Sequence, residues 1–298
     1  MLEATNLTKE FKVGSFGRGV FKAVNKASFK IDNKDIVSLI GESGSGKTTI
    51  GRMILKLTQI SGGQIKYNGK DVSDIKNKNL KEYYRKVQGV FQDPFSTFNP
   101  IFKADRIFKM VKNEFYPALS NKEWEKKLDD SLKSVGLNPK EVLNKYPHQL
   151  SGGQLQRFLI ARALLIDVEL LIADEIISML DASTRIDVLN LLAMLKEKGL
   201  SVLFITHDLS LGYYISNKAI ILYRGVIVEM GPTDKVFFNP VHSYTQSLLD
   251  SVPRLDMKWD EIPKRKKTYT DIVSYIPGMS KRELKMTEIE ENHFVAIE

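Results

Sequence analysis

Residues Gly41 to Thr48 read GESGSGKT, preceded by the continuous apolar run DIVSLI and followed by GKTTIGRMILKL, apolar at helical spacing. A buried strand that passes through a glycine-rich turn into a helix commits the chain to α/β layering. The pattern fits G-x-x-x-x-G-K-[ST] in the strand-before, helix-after context that the motif needs. Its glycines let successive backbone N–H groups curl around phosphate oxygens. The helix behind them points roughly half a positive charge the same way. Gly41, Ser43, Gly44, Ser45 and Gly46 form the expected cradle, and Lys47, Thr48 and Thr49 begin the helix. Lys47 can reach β- and γ-phosphates, and the Thr48 hydroxyl can complete the shell of Mg²⁺. A chance match in 298 residues has odds of roughly one in a hundred at average composition. A nucleoside triphosphate is the expected ligand.

Two further strand ends carry chemistry. ELLIADE finishes a short apolar run with Asp174 and Glu175. In open α/β sheets ligands bind beyond the carboxyl ends of strands. Asp174 is expected to hold Mg²⁺ through its water shell, and Glu175 to polarise an attacking water as general base. The competing reading is an acidic pair that caps the next helix. SVLFITHD places His207 after another strand, able to reach the same crevice and the γ-phosphate, although a lone histidine there is more often structural. His148, His242 and His293 have no metal-ligand spacing and read as structural or surface residues.

Strand and helix alternate around these motifs as in a parallel sheet covered on both faces. The first forty residues read as strands, GGQIKYNG as another, and KDVSDIKNKN as a polar linker. From Asp93 to about Leu165 the chain turns helical and is punctuated by Pro94, Pro100, Pro117, Pro139 and Pro147, as an insertion would be. KAIILYRGVIVEMG reads as a hairpin turning at Arg224 and Gly225, two short helices follow, and the tail is polar and basic, with KRKK at Lys264 to Lys267. There is no cysteine, which excludes disulfides and thiolate metal sites. The net charge of +8 suits an anionic partner without choosing one. No run approaches the roughly 18 apolar residues of a spanning helix, and the first residues do not read as a signal peptide, so a soluble or peripheral chain is expected.

LSGGQ, Leu150 to Gln154, has no acid, base or strong nucleophile. Alone it reads either as a turn into a helix or as half of a site completed elsewhere. In company with the other motifs it resembles a family. GESGSGKT resembles the Walker A loop of the ATP-binding-cassette ATPases, LLIADE the Walker B strand and Gln92 in VFQDP the Q-loop. LSGGQ is similar to their signature, SMLD to the D-loop and His207 to the switch histidine, all in the family's order from Met1 to about Gly231.

The resemblance implies an α/β ABC-ATPase fold: a RecA-like parallel-sheet core, an N-terminal antiparallel β-subdomain and an inserted helical subdomain at about 93–165. The nucleotide-binding domain would span 1–232 and a C-terminal extension 233–298. It implies ATP with Mg²⁺, the metal held by Thr48, Gln92 and Asp174, and catalysis by Glu175, His207 and Gln92. Phe11 would stack on adenine, with Phe16 and Phe21 as competitors. Ser151, Gly152, Gly153 and Gln154 would cover the nucleotide of a second, head-to-tail cassette, with Asp181 acting across that dimer.

FQDPFSTFNP and FFNPVHSYTQSLLDSVPRL are similar to segments of ATPase subunits from oligopeptide, dipeptide and nickel importers. The implied partners are a second cassette (a paralogue), two membrane permeases and, indirectly, an extracytoplasmic solute-binding protein, with no nucleic acid. The implied location is the cytoplasmic face of the plasma membrane. The alternatives are a nickel or other small-solute importer, a weakly hydrolysing cassette in an asymmetric pair, or a cassette acting on nucleic acid. Three departures stand out. Ile176 and Ile177 replace the usual Pro-Thr after the glutamate, Leu155 replaces a basic residue and is expected to loosen a surface contact, and the tail lacks a cysteine cluster.

Overall fold

The computed structural model describes residues 1–13, 19–251 and 285–297. The chain divides into two compact units, one formed by Met1–Asp74 with Phe204–Glu298 and the other by Ile75–Leu203.

In the first unit β1 (Leu2–Val13) pairs antiparallel with β2 (Gly19–Ile31) and with β4 (Gly62–Tyr67), which pairs with β5 (Lys70–Asp71), giving the order β2-β1-β4-β5. Leu2, Ala4 and Leu7 face inward, and the register shift between Ala4 and Leu7 is taken up at Asn6, whose φ of 49° is one that asparagine tolerates. The second sheet of this unit is built on β3 (Ile36–Ile40), all five residues buried, which lies parallel to β9 (Lys218–Tyr223). β9 turns through Arg224 and Gly225, both at positive φ, into β10 (Val226–Pro232), where the sequence predicts the hairpin. β10 then pairs with β12 (His293–Ile297), and β12 with β11 (Lys285–Glu290).

That last hairpin is not predicted by the sequence, which gives only a polar, basic tail. HFVAI is a strand-sized apolar run, but Lys285–Glu290 carries three charges, Lys285, Glu288 and Glu290, on an exposed strand and hides the pattern. The KRKK segment lies outside the described residues. KDVSDIKNKN is likewise more than a linker: it holds β5 and starts α2 (Asn77–Lys86), whose first apolar residue comes only at Leu80.

Around β3 stand α1 (Lys47–Ile54), α9 (Leu209–Ile215), α10 (Thr233–Phe238) and α11 (Ser243–Asp250). Ile40, Leu209, Ala219, Ile221, Val228 and Val236 form a core onto which Tyr223, Tyr244, Leu248 and Leu249 pack. Within β10 sits Glu229, fully buried. Its carboxylate accepts the N–H groups of Val241 at 2.9 Å and His242 at 3.1 Å and lies 2.8 Å from His293 Nε2. A carboxylate is tolerated there because three partners replace its water.

His242 caps α11, its Nδ1 accepting the Tyr244 N–H at 3.1 Å. Burial pushes its pKa down from 6.5 to about 4. A histidine depressed in the fold stabilises it fully above its ordinary value, and that contribution is lost as pH falls from about 6.5 toward about 4. In His242→Asn, which keeps a cap but no titrating ring, urea unfolding should therefore lose less stability over that window than in the parent. The difference should be on the order of 3 kcal/mol at the acid end. Parallel pH profiles for the two proteins would refute this. Glu229 and His293 are common to both and drop out of the comparison.

In the second unit β6 (Val87–Val90) and β7 (Leu170–Asp174) run parallel. Between them the chain forms α3 (Pro94–Thr97), α4 (Arg106–Phe115), α5 (Asn121–Ser134), α6 (Pro139–Val142), a short 3₁₀ turn and α7 (Gly152–Leu164). α5 starts in a capping box, Ser120 Oγ accepting from Glu123 N–H and Glu123 from Ser120 N–H, so the local sequence sets its first turn. Phe158 of α7 packs against Phe108, ring centroids 4.6 Å apart, and Phe98 at 6.4 Å. The half-buried Arg162 donates to the Gly89 carbonyl at 2.9 Å and so ties α7 to β6. α8 (Ala182–Glu197) follows β7, and β8 (Ser201–Thr206) carries the chain from this unit into the first. No helix among the described residues is long and apolar enough to cross a membrane.

Candidate functional site

In the first unit the loop Gly41–Gly46 leaves the end of β3 and turns into α1. A Cβ on Gly41 would lie 2.1 Å from the Leu222 carbonyl oxygen, and one on Gly46, at φ 105°, 2.3 Å from that of Ala23. Only glycine lets the loop pass so close to β9 and β2. Lys47 is 4% exposed, and its ammonium donates to the carbonyls of Gly41 at 2.7 Å and Glu42 at 2.8 Å, which folds it back along the loop. Ser45 N–H donates to the Glu42 carbonyl, and Gly225 N–H donates to the Ser45 carbonyl at 2.8 Å.

Three observations fit an anion at this loop. No side chain caps α1, its first turn has no acidic residue, and Ser45 Oγ is buried without a hydrogen-bond partner. The N-terminal end of a helix with such surroundings is an anion site by its dipole and its unsatisfied N–H groups.

His207 is exposed in the turn after β8. The turn is fixed by Asp208, whose N–H donates to Thr206 Oγ1 at 2.9 Å while its carboxylate caps α9 through Leu211 N–H. Phe11 stands on β1 opposite Phe21, both about half exposed, with Lys9 Nζ 5.0 Å from the Phe11 ring centroid. Phe16 lies outside the described residues.

In the second unit the parallel pairing of β6 and β7, Val90 opposite Ala173, brings Gln92 to the same sheet end as Asp174 and Glu175. Gln92 is exposed and Asp174 is 5% exposed. Glu175 has φ 50°, a left-handed backbone that costs a residue with a Cβ roughly 1–2 kcal/mol. The Glu175 carbonyl accepts both the N–H and the hydroxyl of Ser178, which holds that turn.

Ile176 and Ile177, the departures after the glutamate, are 1% and 2% exposed, so this turn is anchored by apolar burial. Arg185 closes it by donating to the carbonyls of Leu180 at 2.8 Å and Ser178 at 3.3 Å. Asp181 caps α8, and the Ser183 hydroxyl, then the Thr184 N–H and hydroxyl, hold its carboxyl well below the usual range.

LSGGQ is a capping box. Ser151 Oγ accepts the Gln154 N–H at 3.1 Å and Gln154 Oε1 accepts the Ser151 N–H at 2.9 Å, with Ser151 itself exposed. A Cβ on Gly153 would lie 2.4 Å from Thr184 Cγ2, so α7 packs closely on α8 there and an added methyl would have to displace the Thr184 side chain. Leu155 is fully buried, which corrects the expectation of a loosened surface contact: a basic residue at this position of α7 would face the core. Among the described residues no group of three or more histidines and carboxylates could hold a metal ion on its own.

Comparison with known proteins adds the following. The family described as ABC transporter matches residues 24–178, and that described as Oligopeptide/dipeptide transporter, C-terminal region, matches residues 228–278. The oligopeptide transport ATP-binding protein OppF of Streptococcus pyogenes serotype M1 is 45% identical over 288 residues, 94% of this chain and 91% of that protein. OppF of Bacillus subtilis (strain 168) is 41% identical over 99% of this chain and 95% of that protein. The dipeptide transport ATP-binding protein DppF of Lactococcus lactis subsp. cremoris (strain MG1363) is 40% identical over 99% and 93%. A solved dimer of an ATP-binding cassette in a post-hydrolysis state, bound to ADP and Pi, superposes with TM-score 0.70 at 29% identity, covering 78% of this chain and 99% of that one.

Proposed function

The chain belongs to the ABC transporter family of ATP-binding proteins, and from that premise we propose that it is the ATP-hydrolysing subunit of an importer of oligopeptides or dipeptides. The observation that carries the nucleotide half is the phosphate loop, with its glycine-only approaches, uncapped helix and orphaned Ser45 hydroxyl. The peptide half is supported by relatives named for oligopeptide and dipeptide transport over nearly the whole chain, which favours peptides over nickel chelates.

The loop amides and Lys47 bind the β- and γ-phosphates, and Phe11 stacks on the base. Thr48, Gln92 and Asp174 are the residues that would hold Mg²⁺, which when bound would supply charge neutralisation to the phosphates. Glu175 orients a water and takes its proton as the water oxygen bonds to the γ-phosphorus and the bond to the ADP oxygen breaks. His207 contacts the γ-phosphate. Two cassettes close head to tail, the second a paralogue, with Ser151, Gly152, Gly153 and Gln154 of one over the nucleotide of the other. Asp181 acts across that dimer. Residues 1–232 form the nucleotide-binding domain and 233–298 its extension.

The assembly sits on the cytoplasmic face of the membrane with two permeases, served by an extracytoplasmic binding protein. In vesicles holding the assembled transporter, uptake of a labelled oligopeptide should require this chain and ATP; uptake of chelated nickel in place of peptide would overturn the substrate class.

The FQDPFSTFNP segment is the proposed permease contact. Asp93 caps α3 through the Phe95 N–H at 2.9 Å, leaving Phe95, Ser96 and Thr97 exposed on a short rigid turn. Cysteines at Ser96 or Thr97 should cross-link to a cytoplasmic permease loop in the intact assembly. A complete lack of cross-links along this segment would count heavily against an importer.

A further inference from the structure

The phosphate loop of the first unit is touched by a residue from far down the chain. The Tyr244 hydroxyl, on α11, accepts the Glu42 N–H at 3.2 Å. The Tyr244 ring lies on that of Tyr223 with centroids 4.2 Å apart. Tyr223 ends β9 and adjoins the turn whose Gly225 N–H donates to the Ser45 carbonyl. One helix therefore meets the loop directly at Glu42 and packs on the strand end next to the turn that holds Ser45.

α11 is itself fixed. Its first turn is capped by His242, and the Val241 and His242 N–H groups are held by the buried Glu229, which also faces His293 of β12. Burial pushes the Tyr244 phenol up to about 12, so near neutral pH it is an uncharged hydroxyl and places no negative charge beside a phosphate.

We propose that Tyr244 is a positioning residue for the phosphate-binding loop, through which the C-terminal segment sets the nucleotide affinity of the cassette. A glycine-rich loop has many shapes, and only the curled one presents its amides to phosphates. Fixing the Glu42 amide raises the population of that shape, and affinity scales with the competent fraction. The inference rests on the loop being the ATP site, as proposed above.

Tyr244→Phe keeps the ring and its contact with Tyr223 and removes only the acceptor. Equilibrium titration of the full chain with a fluorescent ATP analogue and with ADP should give Kd values about three- to tenfold higher than the parent, the span of one net hydrogen bond. Hydrogen–deuterium exchange of the peptide covering residues 41–48, without nucleotide, should speed up. In the assembled transporter the change should fall on KM for ATP more than on kcat.

Parental affinity in Tyr244→Phe, alongside lost binding in Lys47→Ala, would overturn the inference and leave the ATP site standing. Weaker affinity with unchanged loop exchange would also overturn it, since the hydroxyl would then act elsewhere than on the loop. Parental ATP binding in Lys47→Ala would bring down both.

Discussion

Glu175→Gln is expected to slow ATP hydrolysis by about 10²–10⁴-fold, roughly 3–5 kcal/mol of barrier, while ATP binds at least as tightly as before. The substitution keeps the shape of the side chain and removes both the base and a negative charge near the γ-phosphate. It leaves the left-handed turn as it is, because the carbonyl that holds Ser178 is unchanged. With ATP bound and unspent, the variant should associate with its partner cassette, a step visible by light scattering.

Ser151→Arg in the same chain should abolish that association by placing bulk where the opposing γ-phosphate must sit. Because Ser151 also caps α7, Ser151→Ala serves as the control: it loses the cap, worth about 1 kcal/mol, without adding bulk. A dimer indifferent to Ser151→Arg would leave LSGGQ as a helix cap alone. Near-parental hydrolysis in Glu175→Gln would remove the glutamate from its role.

Lys47→Ala should weaken ATP binding by about 10²-fold or more, the loss of charge-assisted hydrogen bonds to two phosphates. The Lys47 ammonium also donates to the carbonyls of Gly41 and Glu42. The variant should therefore also lose stability, and thermal unfolding without nucleotide separates the two effects. An equilibrium titration that returned parental affinity would exclude the loop as the phosphate site.

These features differ in how readable they are. The loop was legible because its chemistry is local: strand, glycines, lysine and hydroxyl fall within a dozen residues. The same holds for the Arg224–Gly225 turn and for α5, whose cap is spelled out from Ser120 to Glu123. LSGGQ was ambiguous on its own because a capping box and a half-site share residues, and the fold shows the capping box. Gly153 answers to Thr184, thirty-one positions away, and no spacing rule reaches that far. Leu155 misled because a polar pattern borrowed from relatives stood in for burial.

Tyr244 and Glu42 are 202 residues apart. Glu229 sits in a strand where alternation would set a charge outward, and it is buried only because partners arrive from residues 241, 242 and 293. Such pairings depend on topology and leave no local trace.

The division of the chain bears on how it is made. Ile75–Leu203 is continuous in sequence, so a ribosome has delivered every residue of that unit once Leu203 has been added. The other unit is begun first and finished last. The five buried residues of β3 lack their parallel pairing with β9 until Lys218–Tyr223 has emerged, by which time the whole intervening unit has been synthesised. Glu229 then waits for His293. A nascent chain stalled before that residue carries a carboxylate shaped for burial but short of one partner, and an apolar strand edge along β10 with nothing paired to it. Such a chain would offer quality-control factors a mark by which to tell an unfinished cassette from a finished one.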